Sequence, residues 1–280
     1  MTKFIKTLIL LSLCSLFTCG CTTLIFQPDR NLYALPYQQQ IERIDIEIKD
    51  EHQPTLHGWY LPTKQVKKGS ILFLHGNAQN ISTHTQFVYW LPDEGYDVYT
   101  IDYRGYGHSE GHVDLAGAII DVQRAIAHIA RHSNDDLIVM GHSLGGAIAI
   151  PAVASLENPP VEALIVASAF SDYHKIIREF LARNLFTKLF SWPLSFTVNN
   201  DYSPTKWIDQ TAPIPSYFLY SDNDGVIPPW HSPALYQRAA EPKHIEMIIG
   251  GHNDFLALEE NRKTLIKILN TITQQHNQER

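Results

Sequence analysis

Six short apolar runs constrain most strongly what this chain can become. "SILFLH" (70–75), "DVYTIDY" (97–103), "DLIVMGH" (136–142), "ALIVAS" (163–168), "SYFLYS" (216–221) and "HIEMII" (244–249) are strand-length, and most lack the polar residue at every second position that marks a half-wet strand. Near-continuous apolar runs suit strands covered on both faces, as in a parallel sheet flanked by helices. Amphipathic stretches of helix length lie between several of them. In "DLAGAIIDVQRAIAHIARH", Leu115, Ile119, Val122, Ile126 and Ile129 fall on one stripe. Upstream, "RIDIEIKD" alternates Ile44, Ile46 and Ile48 with charges, and "LHGWYLP" follows as its hairpin partner. The expected fold class is α/β: a mostly parallel, doubly wound sheet entered through an antiparallel hairpin, with helices on both faces. A chain of 280 residues is long enough to bury one large core.

One stretch breaks the alternation. Residues from about 170 to 212 contain Phe170, Tyr173, Phe180, Phe186, Phe190, Trp192 and Phe196, with Pro193 and Pro204. This exceeds an ordinary connection and predicts a small, mostly helical cap over the strand ends. Most of its aromatics are expected to form the cap's own core, and a few to line a pocket.

The chemistry concentrates where strands end. "GHSLG" sets Ser143 between the strand "DLIVM" and the helix "LGGAIAIPAVASL", which is read as a helix despite Pro151. A serine on such an elbow is held in a strained conformation that lifts its hydroxyl above the sheet, while Gly141 and Gly145 leave room for the close backbone approach. A serine nucleophile needs a base, and the base needs an orienting carboxylate. "GGHNDF" supplies His252 after "HIEMII", and "DNDGVIPP" supplies Asp222 and Asp224 after "SYFLYS". All three groups follow different strands at the edge where open α/β sheets place their sites. The two aspartates are two residues apart, so strand parity cannot separate them. Asp222 directly follows the strand, where aspartate commonly caps a turn; Asp224 precedes a glycine that can turn and two aliphatics that can anchor, and is chosen as the third member. The amides of Asn77, after "LFLHG", and of Leu144, after the nucleophile, are the expected oxyanion donors, with Ala78 as the second choice for the former.

The N-terminus reads differently. Lys3 and Lys6 precede an apolar run from Leu8 to Phe17, too short to span a bilayer comfortably and typical of a secretory signal. Its end resembles a bacterial lipoprotein signal, in which a cysteine after a small residue is lipidated and becomes the mature N-terminus. Gly20 and Cys21 fit that pattern, whereas Thr18 stands where leucine is usual. The division expected is a signal at 1–20, the lipidated Cys21 with a tether to residue 40, and the α/β domain from 41 to 280, with the cap at about 170–212 inserted in it. Thr22 in place of aspartate implies, by the bacterial sorting rule, an outer membrane where the cell has one. All three cysteines lie within the first 21 residues, so the body can form neither a disulfide nor a thiolate metal site. Removing residues 1–20 takes two cations from a formal charge of −7, so electrostatic binding to anionic lipid or nucleic acid is not expected.

Taken together, "LHGNAQN", "DYRGYGHSEG", "GHSLGG", "DGVIP" and "GGHNDF" resemble the α/β-hydrolase superfamily, in the branch of membrane-associated serine hydrolases that includes acyl-thioesterases and lysophospholipases. The resemblance spans about residues 41–275. It implies a Ser143–His252–aspartate triad and hydrolysis of a small-molecule acyl ester or thioester. No cofactor and no metal are required by that chemistry. Aminopeptidase or amidase activity on the same triad, and a non-catalytic binding protein on the same fold, are the alternatives. The remaining motifs read as structural: His108 and His112 lie in a glycine loop, His128 and His132 on a solvated helix face, "DYRGYG" as a buttress of the nucleophile turn, and His142 as a packing residue rather than a base.

Overall fold

Most of the apolar runs become strands because they have somewhere to bury two faces; the last, Lys243–Met247, lies at the sheet edge with His244, Glu246 and Met247 exposed. The computed structural model describes residues 25–39, 41–133 and 136–279; Cys21 and the expected signal lie outside the described residues. Strands β1 (Ile44–Ile48), β2 (Leu56–Leu61), β3 (Gly69–Leu74), β4 (Tyr96–Ile101), β5 (Leu137–His142), β6 (Ala163–Ala167), β7 (Ser216–Tyr220) and β8 (Lys243–Met247) form one sheet in the order β1-β2-β4-β3-β5-β6-β7-β8. β1, β2 and β4 pair antiparallel, and β3 to β8 run parallel. This is the α/β-hydrolase fold.

Alternate side chains of one strand feed two cores. Leu72 and Leu74 of β3 join the Leu115–His132 helix, whose Leu115, Ile119, Val122, Ile126 and Ile129 are all buried. Ile71 and Phe73 join Trp90, Leu91 and the C-terminal helix Glu259–Glu279 on the opposite face. Every residue of β3, β4, β5 and β6 is buried, which is why their sequences lack alternation.

Strand order also fixes where a ligand can sit. The chain leaves β3 for β4 on one side and then returns to β5 on the other, so the carboxyl ends of β3 and β5 lie side by side at a reversal of winding. Loops diverge there and leave a crevice.

Two regions differ from expectation. The cap is helical, with helices Tyr173–Ala182, Leu185–Lys188 and Ser191–Ser195 and short turns at Pro204–Lys206 and Ile208–Gln210. Its aromatics, however, do not build a core of their own. Phe170 and Tyr173 bury themselves in the main domain, while Phe186, Phe190, Trp192 and Phe196 face outward. Helices of four and five residues are too short to enclose a core between them. The cap is held by His231, whose Nδ1 accepts from the Ser171 amide at 3.0 Å and whose Nε2 donates to Glu179 Oε2 at 2.9 Å. The stretch expected as a tether lies, from residue 25 onward, on the body. Ile25 and Phe26 are buried, and the side chains of Asn77 and Asn80 bind the backbone of Ile25, Gln27, Asp29 and Asn31.

Candidate active site

Ser143 stands between the last residue of β5 and the first of the Leu144–Ala154 helix, at φ 55° and ψ −119°. That left-handed value is costly for a residue with a Cβ, about 1–3 kcal/mol, and persists only where surroundings enforce it. The enforcement is steric. A Cβ on Gly145 would lie 2.1 Å from the Leu74 carbonyl oxygen, and one on Gly141 would lie 2.5 Å from the Gly145 backbone. The two glycines let the helix start directly against β3 and β5. The Ser143 amide donates to the Ala167 carbonyl at 2.8 Å, tying the elbow to β6.

His252 opens a short turn, His252–Asp254, after β8, and Asp224 follows β7. Their side chains meet: His252 Nδ1 donates to Asp224 Oδ2 at 2.7 Å. The other carboxylate oxygen, Oδ1, accepts from the amides of Val226 and Ile227, both at 2.8 Å. Burial pushes the Asp224 carboxyl up, but the bond and charge of His252 and the two amides outweigh it, and its pKa lies below the ordinary value. The group is therefore a carboxylate at neutral pH. Asp222 is exposed, and its carboxylate accepts no hydrogen bond among the described residues. The turn-capping role expected of Asp222 falls instead to the Ser221 hydroxyl, which accepts from the Asn223 amide at 3.1 Å.

Ser143 and His252 line one cavity of about 490 Å³ under the cap. No hydrogen bond joins Ser143 Oγ to His252 among the described residues. Asn77, Ala78 and Leu144 line the same space. The Ala78 amide is already engaged, donating to Asn77 Oδ1 at 2.8 Å, whereas the Asn77 amide has no acceptor among the described residues. The Leu144 amide heads a helix, where the first N–H groups have no intrahelical partner. Among the described residues, Asn77 and Leu144 thus offer amides without a partner beside the serine, and the helix dipole adds to their field.

Several neighbouring residues support the loops that carry these groups. His142 is buried, stacks on Phe255 with centroids 5.1 Å apart, and its Nε2 donates to the His252 carbonyl at 3.2 Å. It holds the loop that carries the histidine. Burial and neighbouring imidazoles push His142 well down, burial lowers His75, and burial with His75 pushes His84 down to about 3. These three rings are neutral and do not repel a proton arriving on His252. "DYRGYG" supports the loop after β3 rather than the nucleophile turn: Tyr103 donates to the His75 carbonyl at 3.0 Å and Tyr106 to Asn77 Oδ1 at 2.9 Å. The serine-bearing elbow is a neighbour of that loop, not its partner. The His128 and His132 rings meet near a helix end, tilted by 32°, and His108 lies against His57. No group of three metal-binding side chains occurs among the described residues.

Comparison with known proteins follows the same lines. The family profile described as serine aminopeptidase S33 matches residues 65–209, which include Ser143 and end before Asp224 and His252. YfhR of Escherichia coli K12, an uncharacterised protein, is 30% identical over 236 residues, covering 81% of this chain and 78% of its own. YfhR of Salmonella typhimurium LT2 is 31% identical over 267 residues, 88% of this chain and 87% of its own. The α/β-hydrolase domain-containing protein WAV2 of Arabidopsis thaliana is 34% identical over 210 residues, 70% and 66% of the two chains. Among solved structures, the Pyrococcus furiosus esterase Pf2001 superposes with a TM-score of 0.69 at 18% identity, covering 88% of this chain and 97% of that one. Acetyl xylan esterase 1 from Thermoanaerobacterium gives 0.62 at 16%, covering 88% and 87%. These structural likenesses concern the fold.

Proposed function

The chain belongs to the α/β-hydrolase family described as serine aminopeptidase S33, and from that premise we propose that it is a serine hydrolase cleaving carboxylic esters or thioesters through an acyl-enzyme. The observation that carries the reading is the 2.7 Å bond between His252 and Asp224 at the wall of the cavity into which the strained Ser143 elbow projects. With Nδ1 committed to the carboxylate, Nε2 is the nitrogen left to accept a proton. Ser143 Oγ attacks the acyl carbon and its proton passes to His252 Nε2, the serine–histidine contact closing around bound substrate. Negative charge developing on the acyl oxygen is held by the Asn77 and Leu144 amides. Collapse breaks the bond to the alcohol or thiol, which leaves with the proton from Nε2. Water, deprotonated by the same nitrogen, then attacks the acyl-enzyme and releases the carboxylic acid and free Ser143.

Labelling with a fluorophosphonate, followed by turnover of a chain-length series of nitrophenyl esters, tests this directly. Labelling lost in Ser143→Ala supports the assignment, and undiminished labelling of that variant refutes it.

The family description favours one second reading, an aminopeptidase. A free α-amino group calls for a carboxylate in the substrate cavity. The described lining contains Ile176, Ile177, Phe170 and Phe180 but neither aspartate nor glutamate. An acyl chain fits that lining better, and aminoacyl anilides assayed beside the esters separate the two.

The proposed location is the bacterial cell envelope, attached by lipid at Cys21. Its support is the Lys3, Lys6, Leu8–Phe17, Gly20–Cys21 pattern. No described helix is long and apolar enough to cross a membrane.

A further inference from the structure

The hydrolytic cycle leaves one conspicuous surface unused. Leu185, Phe186, Leu189, Phe190, Trp192 and Phe196 of the cap are 79, 81, 81, 58, 62 and 61% exposed. Scattered apolar residues are normal on a protein surface, but six large exposed ones within twelve residues, with the Trp192 and Phe196 rings in contact, are a concentration that calls for a partner.

Three observations say which partner. The first is charge. In a chain with 29 acidic residues, the stretch from 180 to 200 contains none, and it carries Arg183 and Lys188. Arg178 lies over the Trp192 ring at 3.8 Å and the Phe196 ring at 5.1 Å. Exposed aromatics with cations along their flanks, and no acids, suit the boundary between acyl chains and phosphate headgroups. The second is continuity with the cavity. Ile176, Ile177 and Phe180 of the Tyr173–Ala182 helix line the space beside Ser143, while the outward patch follows directly from that helix. The third is where the N-terminus enters. Ile25 lines the catalytic cavity and also a small cleft shared with Thr197 and Val198, immediately after Phe196. Cys21 is four residues before Ile25 and can reach at most about 14 Å from it. An anchor at Cys21 therefore brings the patch and the cavity mouth against the same surface.

We propose that this patch inserts into the lipid bilayer to which the chain is tethered, and that the cavity draws its acyl substrate, a membrane lipid ester, from that bilayer. The substrate half rests on the hydrolase reading above, and the tether on the proposed anchor at Cys21; insertion of the patch itself rests on neither. Because the protein is acidic overall, insertion is driven by apolar burial and survives high salt.

The test uses the full chain in phosphatidylcholine vesicles. Trp192 emission is isolated by subtracting the spectrum of Trp192→Phe, and quenching is measured with lipids carrying a nitroxide high on the acyl chain. The expected result is a blue shift and strong quenching, unchanged by salt. In the triple variant Leu185→Ser/Phe186→Ser/Leu189→Ser, which empties no core position, the quenching disappears. Turnover of a long-chain lipid ester in the vesicles then falls at least about tenfold, while turnover of a short soluble ester stays within about twofold. Unquenched, water-exposed Trp192 in vesicle-bound protein overturns insertion. So does a dimer that shields Trp192 in solution and dissociates in the triple variant, which assigns the patch to a second copy. Quenching with both activities falling in parallel overturns the substrate route. Quenching with no ester hydrolysed at all overturns the hydrolase reading and leaves insertion standing.

Discussion

The sharpest test of the site is Asp224→Asn set against Asp222→Asn. Asp224 Oδ1 accepts from two amides at 2.8 Å, so the asparagine carbonyl oxygen has to stay there; a flipped side chain would press its NH2 against two N–H donors. The new NH2 then faces His252 Nδ1 at the position where Oδ2 accepted at 2.7 Å. To accept from it, Nδ1 must give up its proton, and the ring carries its hydrogen on Nε2. In that tautomer the nitrogen that should receive the serine proton is already occupied. The expected loss in kcat is about 10⁴-fold, equivalent to about 5 kcal/mol of transition-state stabilisation, with KM nearly unchanged. The amide contacts survive, so a Tm change of no more than a few degrees is expected. Asp222 is exposed and does not contact His252, and Asp222→Asn should cost less than about tenfold. The measurement is steady-state turnover of one nitrophenyl ester by both variants, with a thermal melt as the folding control. An Asp224→Asn variant retaining more than about a tenth of the wild-type kcat, or an Asp222→Asn variant that loses more, would refute the assignment of Asp224 as the group that sets the tautomer of His252.

Other outcomes follow from the same geometry. Ser143→Ala should abolish fluorophosphonate labelling and leave the melting temperature unchanged, whereas Ser143→Gly should be inactive yet about 1 kcal/mol more stable in urea, because glycine tolerates φ 55° without strain. A rise in kcat/KM from C2 to C8 esters, up to about 0.8 kcal/mol for each buried methylene, is expected of a cavity of about 490 Å³ lined by Ile176, Ile177 and Phe180, and a flat profile across that series would contradict it. Acid should destabilise the fold early: His75, His84 and His142 are held neutral, with folded pKa values below the unfolded value near 6.5, so the unfolded chain binds more protons once the pH drops through 6.5. Their contribution is complete above that pH and is lost below it at roughly 1.4 kcal/mol per histidine per pH unit until each folded group titrates, which urea midpoints at pH 7 and pH 5 would register. Cys21→Ser should turn permanent membrane attachment into reversible attachment, seen as partial release on washing; a wild-type protein found wholly in the soluble fraction would contradict the anchor.

The parts of the molecule legible in the sequence are those encoded by local repetition. Buried strands show as unbroken apolar runs, the Leu115–His132 helix as a stripe, and the elbow as glycines flanking Ser143, because each is written as a pattern of residue types within one short segment, whatever distant neighbour the segment meets. What stayed hidden depends on bonds between side chains and distant backbone. Nothing in "QPDRNLYALP" announces that Asn80 will bind the carbonyls of Asp29 and Asn31, or that Tyr37 will donate to Ser82. The Ile25–Phe26 pair within a polar stretch was the available hint. Tyr103 and Tyr106 look the same from sequence whether they brace the nucleophile or the loop after β3. The cap aromatics mislead for another reason: hydrophobicity reports that a side chain avoids water, and a bilayer satisfies that as well as a core does.

The role of Asn77 shows how the N-terminal strap and the chemistry come to share one residue. Its Oδ1 accepts from the Gln27 amide at 2.8 Å, the Ala78 amide at 2.8 Å and the Tyr106 hydroxyl at 2.9 Å, while Nδ2 donates to the Ile25 carbonyl at 2.5 Å. Only a carboxamide of this length both accepts and donates there; aspartate would lose the donor and leucine everything. With its side chain engaged on four sides, the residue is held in place, and its own amide has no acceptor among the described residues of the cavity it shares with Ser143. The next two residues, Ala78 and Gln79, sit at φ 58° and 55°, a conformation costing each about 1–3 kcal/mol that a loose loop would shed by relaxing. The strap's bonds to Asn77 and Asn80 are among those that hold the loop in that conformation. An oxyanion donor must be in place before charge develops, since reorganising it during reaction would consume the stabilisation it offers. On the proposed role of Asn77 as an oxyanion donor, residues 25–27 would serve the reaction by immobilising its loop, although they bear no group that touches a reacting atom.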